Sequence, residues 1–385
     1  MKKRLVVIGA NDFQNQLILK AKKMGYETHV FAWECGDVGE KSADFFYPIS
    51  IVEKEQILEV CRKIQPDGVI SIASDLASIT VNYVAENLGL VCNGMHSAQI
   101  STNKHLMRKA FEEKGLPSPK SVLVTGNLAE FPDMQYPLIV KPTDRSGSRG
   151  IFKIEEPGQL LPAIEKAKME SFEKGVLVEE FAEGNEYSVE YISWEGEHHF
   201  LAVTKKYTTG APCFIETGHL QPANDLSGAV MDKIRQVIPR ALDALEIRYG
   251  ASHSEIKIDK NGDLRIIEIG GRMGGDCIGS DLVYLSTGYD FVKMVIETAC
   301  GIKPDFSPEG NRGYAAIRFI FDRKDLDRLE WVRKNYPNAL CRVSHLEEPD
   351  GRTVTDSSNR YGYYLLATSD HKIMDQVSSR ILETC

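Results

Sequence analysis

Short apolar runs at residues 5–8, 27–31 and 68–72 alternate along the first part of the chain with stretches at 16–24 and 54–64 whose apolar positions recur with helical period. This βαβαβ order predicts a parallel sheet covered by helices. The turn Gly9-Ala10-Asn11 follows the first run, where a dinucleotide-binding fold carries GxGxxG, but Asn11 and Gln14 break that glycine pattern. A plain structural turn is the better reading than an NAD site.

The pattern changes near residue 93. Ser101-Thr102-Asn103 precede a helical run over 104–114 that stops at Gly115 and Pro117, and capping explains these polar residues without a ligand. Strands at 121–124 and 138–140, a Gly/Ser loop, a helix over 158–174 and a strand over 175–180 form a small α+β unit with the layout of a lid. From 186 to about 301 the alternation favours an antiparallel sheet with a helix over 227–245, and an α+β segment closes the chain. The parts expected are therefore an N-terminal α/β domain over 1–95, a central domain over 96–305 with its lid at about 118–182, and a segment over 306–385. There is no internal repeat and no low-complexity linker.

Composition narrows the function classes. The chain has 385 residues, enough for more than one core, and its 42% hydrophobic and 26% charged residues are ordinary for a folded protein. With 46 basic and 55 acidic side chains the formal charge is -9, which argues against a nucleic-acid binder. The eight cysteines are scattered without zinc spacing, as expected of free thiols in a reducing compartment. The start MKKRLVVIGA reads as a first strand and not a signal peptide, and no segment approaches the roughly 20 apolar residues of a membrane span. A cytoplasmic protein with no membrane partner is the expectation.

Candidate chemistry enters with residues 254–269. Asn261-Gly262 between two β-rich runs is a hairpin signal, and a two-residue turn there sets Glu255 directly across from Glu268. Like charges facing across a ladder are unfavourable. A divalent cation, with nucleotide phosphates completing its shell, would turn that repulsion into coordination. The other reading is a solvated hairpin face paired with Lys257 or Arg272. The glycine-rich stretch Gly270-Gly271-Arg272-Met273-Gly274-Gly275 follows at once, and its Arg272 presents a planar fork suited to a carboxylate or phosphate, or is a surface arginine on a flexible loop.

Earlier in the chain, Lys141 ends an apolar strand ahead of the loop Ser146-Gly147-Ser148-Arg149-Gly150, whose amides suit a polyphosphate; a surface lysine before an exposed turn is the alternative. Residues 176–190 run from an apolar strand through a short acidic linker into a second strand, the layout of a hinge whose backbone can read an adenine edge while Glu186 accepts from a ribose.

Taken in order, these fragments resemble the ATP-grasp superfamily, a likeness that covers about residues 1–300. The resemblance implies an α/β ATP-grasp architecture with an N-terminal parallel-sheet domain, a small α+β lid, a central antiparallel α+β domain and a C-terminal α+β segment. It makes Lys104 and Lys141 the nucleotide lysines, Ser146, Gly147, Ser148 and Gly150 the mobile loop over the phosphates, and Glu179, Glu180, Phe181 and Ala182 the adenine hinge. Glu186 becomes the ribose ligand, and Glu255 and Glu268 the ligands of magnesium or manganese. Many members carry Asn two residues after the second glutamate; here that position is Gly270, which puts the third metal ligand in doubt.

The stretches Gly218-His219-Leu220-Gln221-Pro222 and 253–257, with Arg272, look most like bacterial L-amino-acid ligases and related carboxylate-amine ligases. By this likeness the substrates are ATP, a small carboxylate and an amine, joined through an acyl phosphate with release of ADP and phosphate. Lys141, Arg272 and His219 would be the catalytic residues, although His219 is equally read as a packed loop histidine. A homodimer is compatible with the likeness. The competing expectations are an ATP-grasp carboxylase of the purine pathway and a nucleotide-binding module without turnover.

Overall fold

The computed structural model describes residues 2–124, 134–145, 147, 149–310 and 312–383. Strands β1 (Arg4–Ile8), β2 (Glu27–Phe31), β3 (Phe45–Tyr47) and β4 (Gly68–Ile70) form a parallel sheet in the order β3-β2-β1-β4. The helix Lys54–Ile64 spans the residues its periodicity predicts and buries Ile57, Leu58, Cys61 and Ile64. Gly9 has φ +109°, and a Cβ there would lie 2.9 Å from Gln14 Cγ. Gln14 is buried and accepts from the Ile72 amide at 3.1 Å. Gln14 thus packs against Gly9 and ties this turn to Ile72.

The lid sheet contains β5 (Ser121–Val124), β6 (Leu138–Pro142), β7 (Phe152–Ile154) and β8 (Val176–Glu180) in the order β5-β8-β6-β7. The helix Leu160–Glu170 packs Leu160, Ala163, Ile164 and Ala167 against Leu138, Val140 and Val178. It is shorter at both ends than the sequence pattern suggests, because residues 157–159 form a 3-10 turn and Ser171 is extended.

The largest sheet holds β9 (Asn185–Trp194), β10 (Glu197–Thr208), β11 (Glu216–Gln221), β12 (Gly250–Ile258) and β13 (Leu264–Gly270), followed by β14 (Tyr314–Phe319), β15 (Leu340–Val343) and β16 (Tyr363–Thr368). Its order is β13-β12-β9-β10-β11-β14-β16-β15. The boundary expected near residue 306 is therefore no break in the sheet: β14 pairs antiparallel with β11.

Strand alternation assigns the two faces of this sheet different work. Tyr187, Val189 and Tyr191 of β9 pack with Ile256, Ile266 and the helix Gly228–Ala244. Glu186, Ser188 and Glu190 therefore point to the opposite face, alongside Lys206 of β10 and Lys257, Glu255 and His253 of β12. One face is core; the other is a band of charge.

The β12–β13 hairpin departs from the expected turn. Gly262 donates its amide to the Asp259 carbonyl at 3.0 Å, the Asp259 amide donates to the Asp263 carbonyl at 3.1 Å, and Gly262 takes φ +81°. Lys260, Asn261 and Gly262 make the loop, one residue more than Asn-Gly alone, so Ile258 pairs with Leu264 and Ile256 with Ile266. That register would set Glu255 against Ile267. A β-bulge at Ile267 absorbs the extra residue, and Glu255 pairs with Glu268 as expected. The bulge is anchored on both sides: the Ile267 carbonyl accepts from Arg108 Nη2 at 2.6 Å, and the Ile266 amide donates to the Pro117 carbonyl at 2.8 Å.

Among the described residues, Cys35, Cys61, Cys92, Cys213, Cys277, Cys300 and Cys341 are free thiols, and no helix is long and apolar enough to cross a membrane.

Candidate active site

The charged band of the large sheet faces the lid across a cleft that encloses about 110 Å³. Lys104, Lys141, Glu255 and Glu268 line it together with Glu180, Phe181, Ala182 and Glu186. Residues far apart in sequence meet here because β6 and the 180–182 segment of the lid face β9, β12 and β13 of the large sheet, with the start of the helix Lys104–Glu113 beside them. Lys104 opens the helix Lys104–Glu113, capped by Asn103, whose Oδ1 accepts from the His105 and Leu106 amides at 3.1 and 3.2 Å. Lys104 Nζ donates to Glu268 Oε1 at 2.8 Å and to the Arg145 carbonyl at 2.7 Å.

Lys141, on β6, is 4% exposed, and its Nζ lies 2.6 Å from Glu179 Oε2. The other oxygen of Glu179 accepts from Arg108 Nε at 2.7 Å. Burial lowers the Lys141 pKa, with Glu179 opposing. Glu179 itself is held below the ordinary carboxylate range: burial pushes it up, but Arg108 and Lys141 outweigh that. Glu179 therefore differs from the hinge residue expected. Its backbone is laddered with Ser121 on one side and Ile139 on the other, and its carboxylate is the counter-ion of Lys141. The segment that leaves the sheet is Glu180 to Ala182, where Phe181 donates its amide to the Pro137 carbonyl at 3.0 Å and its ring lies under Lys153 and Lys257 at 4.6 and 4.7 Å.

The floor is a salt-bridge network. Lys206 Nζ sits 2.7 Å from Glu255 and 2.9 Å from Glu186. His253 places Nδ1 2.6 Å from Glu190 and Nε2 3.5 Å from Glu255. Burial alone would lower the His253 pKa, but Glu190, hydrogen-bonded to Nδ1, raises it to about 9. Glu255 is pulled well below its ordinary value by Lys206 and His253 against the effect of burial.

The donor set bears on whether a metal fits. Among the described residues, no group of three or more His, Cys, Asp or Glu side chains is placed to hold a metal ion. Two facing carboxylates in a cleft that also holds lysines suit magnesium, which takes one or two protein carboxylates and fills its shell with phosphate oxygens and water. The position expected to supply a third ligand is occupied otherwise: a Cβ on Gly270 would lie 3.0 Å from Asp75 Oδ1 and 3.2 Å from the Arg272 guanidinium carbon.

Other predicted residues do not line the cleft. Arg272 is held bidentately by Asp75, from the N-terminal domain, at 2.7 and 2.9 Å. His219 lies in the interior of β11 with 0% exposure; both ring nitrogens lack a hydrogen-bond partner, and Nε2 is 3.8 Å from Asp276, beyond hydrogen-bond length. This is the packed reading of His219, with a polar neighbour. Gly147 and Gly150 both take φ +70°, and a Cβ on Gly147 would come within 3.5 Å of Ser357 Oγ, bringing the loop against the C-terminal segment. Ser146 and Ser148 lie outside the described residues.

Sequence reasoning missed Arg108, Asp75, Glu190 and Lys206. Each is a partner across space, and only the β9–β12 register, which seats His253 beside Glu190, had a signal in the alternation of residues 186–190.

Residues 134–281 match the family model described as the ATP-grasp domain. Those residues thus carry an ATP-grasp domain, within a chain that has the α/β ATP-grasp fold. The chain is 28% identical over 282 residues to alanine–anticapsin ligase of Bacillus subtilis (strain 168), a match that covers 66% of this chain and 58% of that protein. The matched stretch thus spans less than two thirds of that relative. The L-amino acid ligase structure from Bacillus licheniformis superposes with TM-score 0.82 at 24% identity, covering 99% of this chain and 97% of that one. The phosphoribosylglycinamide synthetase structure from Anaerococcus prevotii does so with TM-score 0.79 at 18% identity, covering 99% and 98%. At such identities these two structures speak for the fold.

Proposed function

We propose that this protein is an ATP-dependent carboxylate-amine ligase that forms an amide or peptide bond through an acyl phosphate and releases ADP and phosphate. The observation that carries the reading is the single cleft in which Lys104, Lys141, the 180–182 segment, Glu186, Glu255 and Glu268 meet.

In this reading the segment 180–182 and Glu186 seat the nucleoside, and Lys104 and Lys141 bind phosphate oxygens. Glu255 and Glu268 hold magnesium or manganese, which when bound supplies charge neutralisation to the phosphates. A substrate carboxylate oxygen attacks the γ-phosphorus, forming a P–O bond while the bond to the ADP oxygen breaks. The two lysines stabilise the charge on the transferred group. The amine then attacks the acyl carbon, the C–O bond to phosphate breaks, and the ammonium proton is lost to solvent. Closure of the lid loop excludes water, which would otherwise consume the acyl phosphate. Arg272 suits the oxyanion of this second step. In the structure Arg272 is held by Asp75, so serving that oxyanion would require it to give up part of this pair.

Pairwise screening of amino acids and other carboxylates for phosphate release identifies the substrates. Glu268→Ala is expected to abolish magnesium-dependent ADP release while leaving the fold intact, and near-normal release in that variant would sink the assignment. Phosphate release that depends on bicarbonate and not on amines would favour a carboxylase instead.

A further inference from the structure

Lys206 is buried beneath the cleft floor, on β10 between Glu186 of β9 and His219 of β11. Its Nζ lies 2.7 Å from Glu255, 2.9 Å from Glu186 and 3.5 Å from Glu216. Those three carboxylates line the cleft, whereas Lys206 stands behind them. The arrangement has a counterpart one strand away, where Lys104 Nζ sits 2.8 Å from Glu268. Each of the two carboxylates assigned to the metal is thus already neutralised by an ammonium group.

We propose that Lys206 is a positioning residue that acts as an internal counter-cation, competing with a divalent ion for Glu255 so that the floor takes up metal together with nucleotide phosphates. The inference rests on the metal role given above to Glu255 and Glu268. A divalent ion arriving alone must displace an ammonium group from each glutamate and gains no new anion. Arriving with phosphates, it brings anionic oxygens that give Lys104 a new partner. Lys206 gives up Glu255 to the ion but stays beneath the floor, because Glu186 and Glu216 still hold it. Three carboxylates within 3.5 Å of its Nζ make Lys206 the counter-cation of the floor.

Replacing this cation has effects of opposite sign on two ligands. Lys206→Met adds one negative charge to the floor, which favours a lone cation and disfavours a lone polyphosphate. A lysine that merely held the fold together would, when removed, weaken both. The measurements are Mn2+ binding without nucleotide, followed by electron paramagnetic resonance, and ADP binding in the presence of chelator, followed by calorimetry. Lys206→Met is expected to bind Mn2+ at least about tenfold tighter and metal-free ADP at least about threefold weaker than wild type. Weakening of both, or an unchanged Mn2+ affinity, overturns the proposal.

Should Lys206→Met fail to fold, Glu216→Gln gives the test in reverse. It leaves Lys206 fewer carboxylates to serve and should weaken Mn2+ binding while tightening ADP; the opposite signs overturn the proposal. Glu268→Ala separates this inference from the one beneath it. If that variant binds Mn2+ with ADP as wild type does, the metal assignment falls. If it loses Mn2+ while Lys206→Met shows no shift, only the counter-cation role falls.

Discussion

The substitution Glu179→Gln probes how the cleft holds its lysine. Glu179 stands between Arg108 Nε at 2.7 Å and Lys141 Nζ at 2.6 Å, and the three side chains are 4%, 3% and 5% exposed. Glutamine keeps the shape but removes the charge, leaving two buried cations facing each other. With an effective dielectric constant of about 20, one such contact is worth roughly 6 kcal/mol of Coulomb energy, before the gain from no longer burying the carboxylate is returned. Breaking a buried pair by removing one partner costs about 3–5 kcal/mol, and so little exposure calls for no solvent discount. Against a total stability of about 5–15 kcal/mol, the variant should be marginal. Urea unfolding followed by circular dichroism reads this as a lower midpoint with an unchanged slope. A polyphosphate supplies the missing anion, so saturating ADP should raise the midpoint more in Glu179→Gln than in wild type. A loss below about 1 kcal/mol, or equal rescue by ADP in both proteins, would refute the reasoning.

Further consequences are accessible to similar measurements. Burial lowers the His253 pKa and Glu190 more than restores it, to about 9, so this pair stabilises the fold fully below about pH 6.5 and progressively loses its effect as the pH rises through about 9. The stability gap between wild type and His253→Asn should therefore shrink by about 2–3 kcal/mol between pH 6 and pH 10; an unchanged gap contradicts the assignment. Gly184, between β8 and β9, has φ +109°, and a Cβ there would lie 2.1 Å from the Ile258 carbonyl oxygen. Gly184→Ala should lose at least about 2 kcal/mol in thermal unfolding, and a neutral result would show that this link between lid and body yields easily.

How far the sequence could be read depends on the range of the forces involved. The helix Lys54–Ile64 was legible to the residue because its amphipathic period is local. The facing of Glu255 and Glu268 was read from an Asn-Gly turn, yet it arises from a longer loop offset by a bulge at Ile267. The bulge is set by Arg108 and Pro117, which sequence spacing does not bring together. Glu179 lies in a stretch that reads as a hinge, but strand pairing on both sides makes it a buried counter-ion. Lys206 was invisible for the same reason: three carboxylates from three other strands define it. Arg272 stood out for its glycine-rich setting, while its partner Asp75 belongs to a helix start in the N-terminal domain.

The central claim, that a carboxylate is activated as an acyl phosphate, is tested most directly by oxygen tracing. Amino acids labelled with 18O in their carboxylates are supplied with ATP, magnesium and the amine pool that supports phosphate release, and the phosphate is analysed by mass spectrometry. One 18O atom in each released phosphate is the expected result, because the attacking carboxylate oxygen leaves with phosphorus. Phosphate that is released in step with product but carries no label would contradict the account.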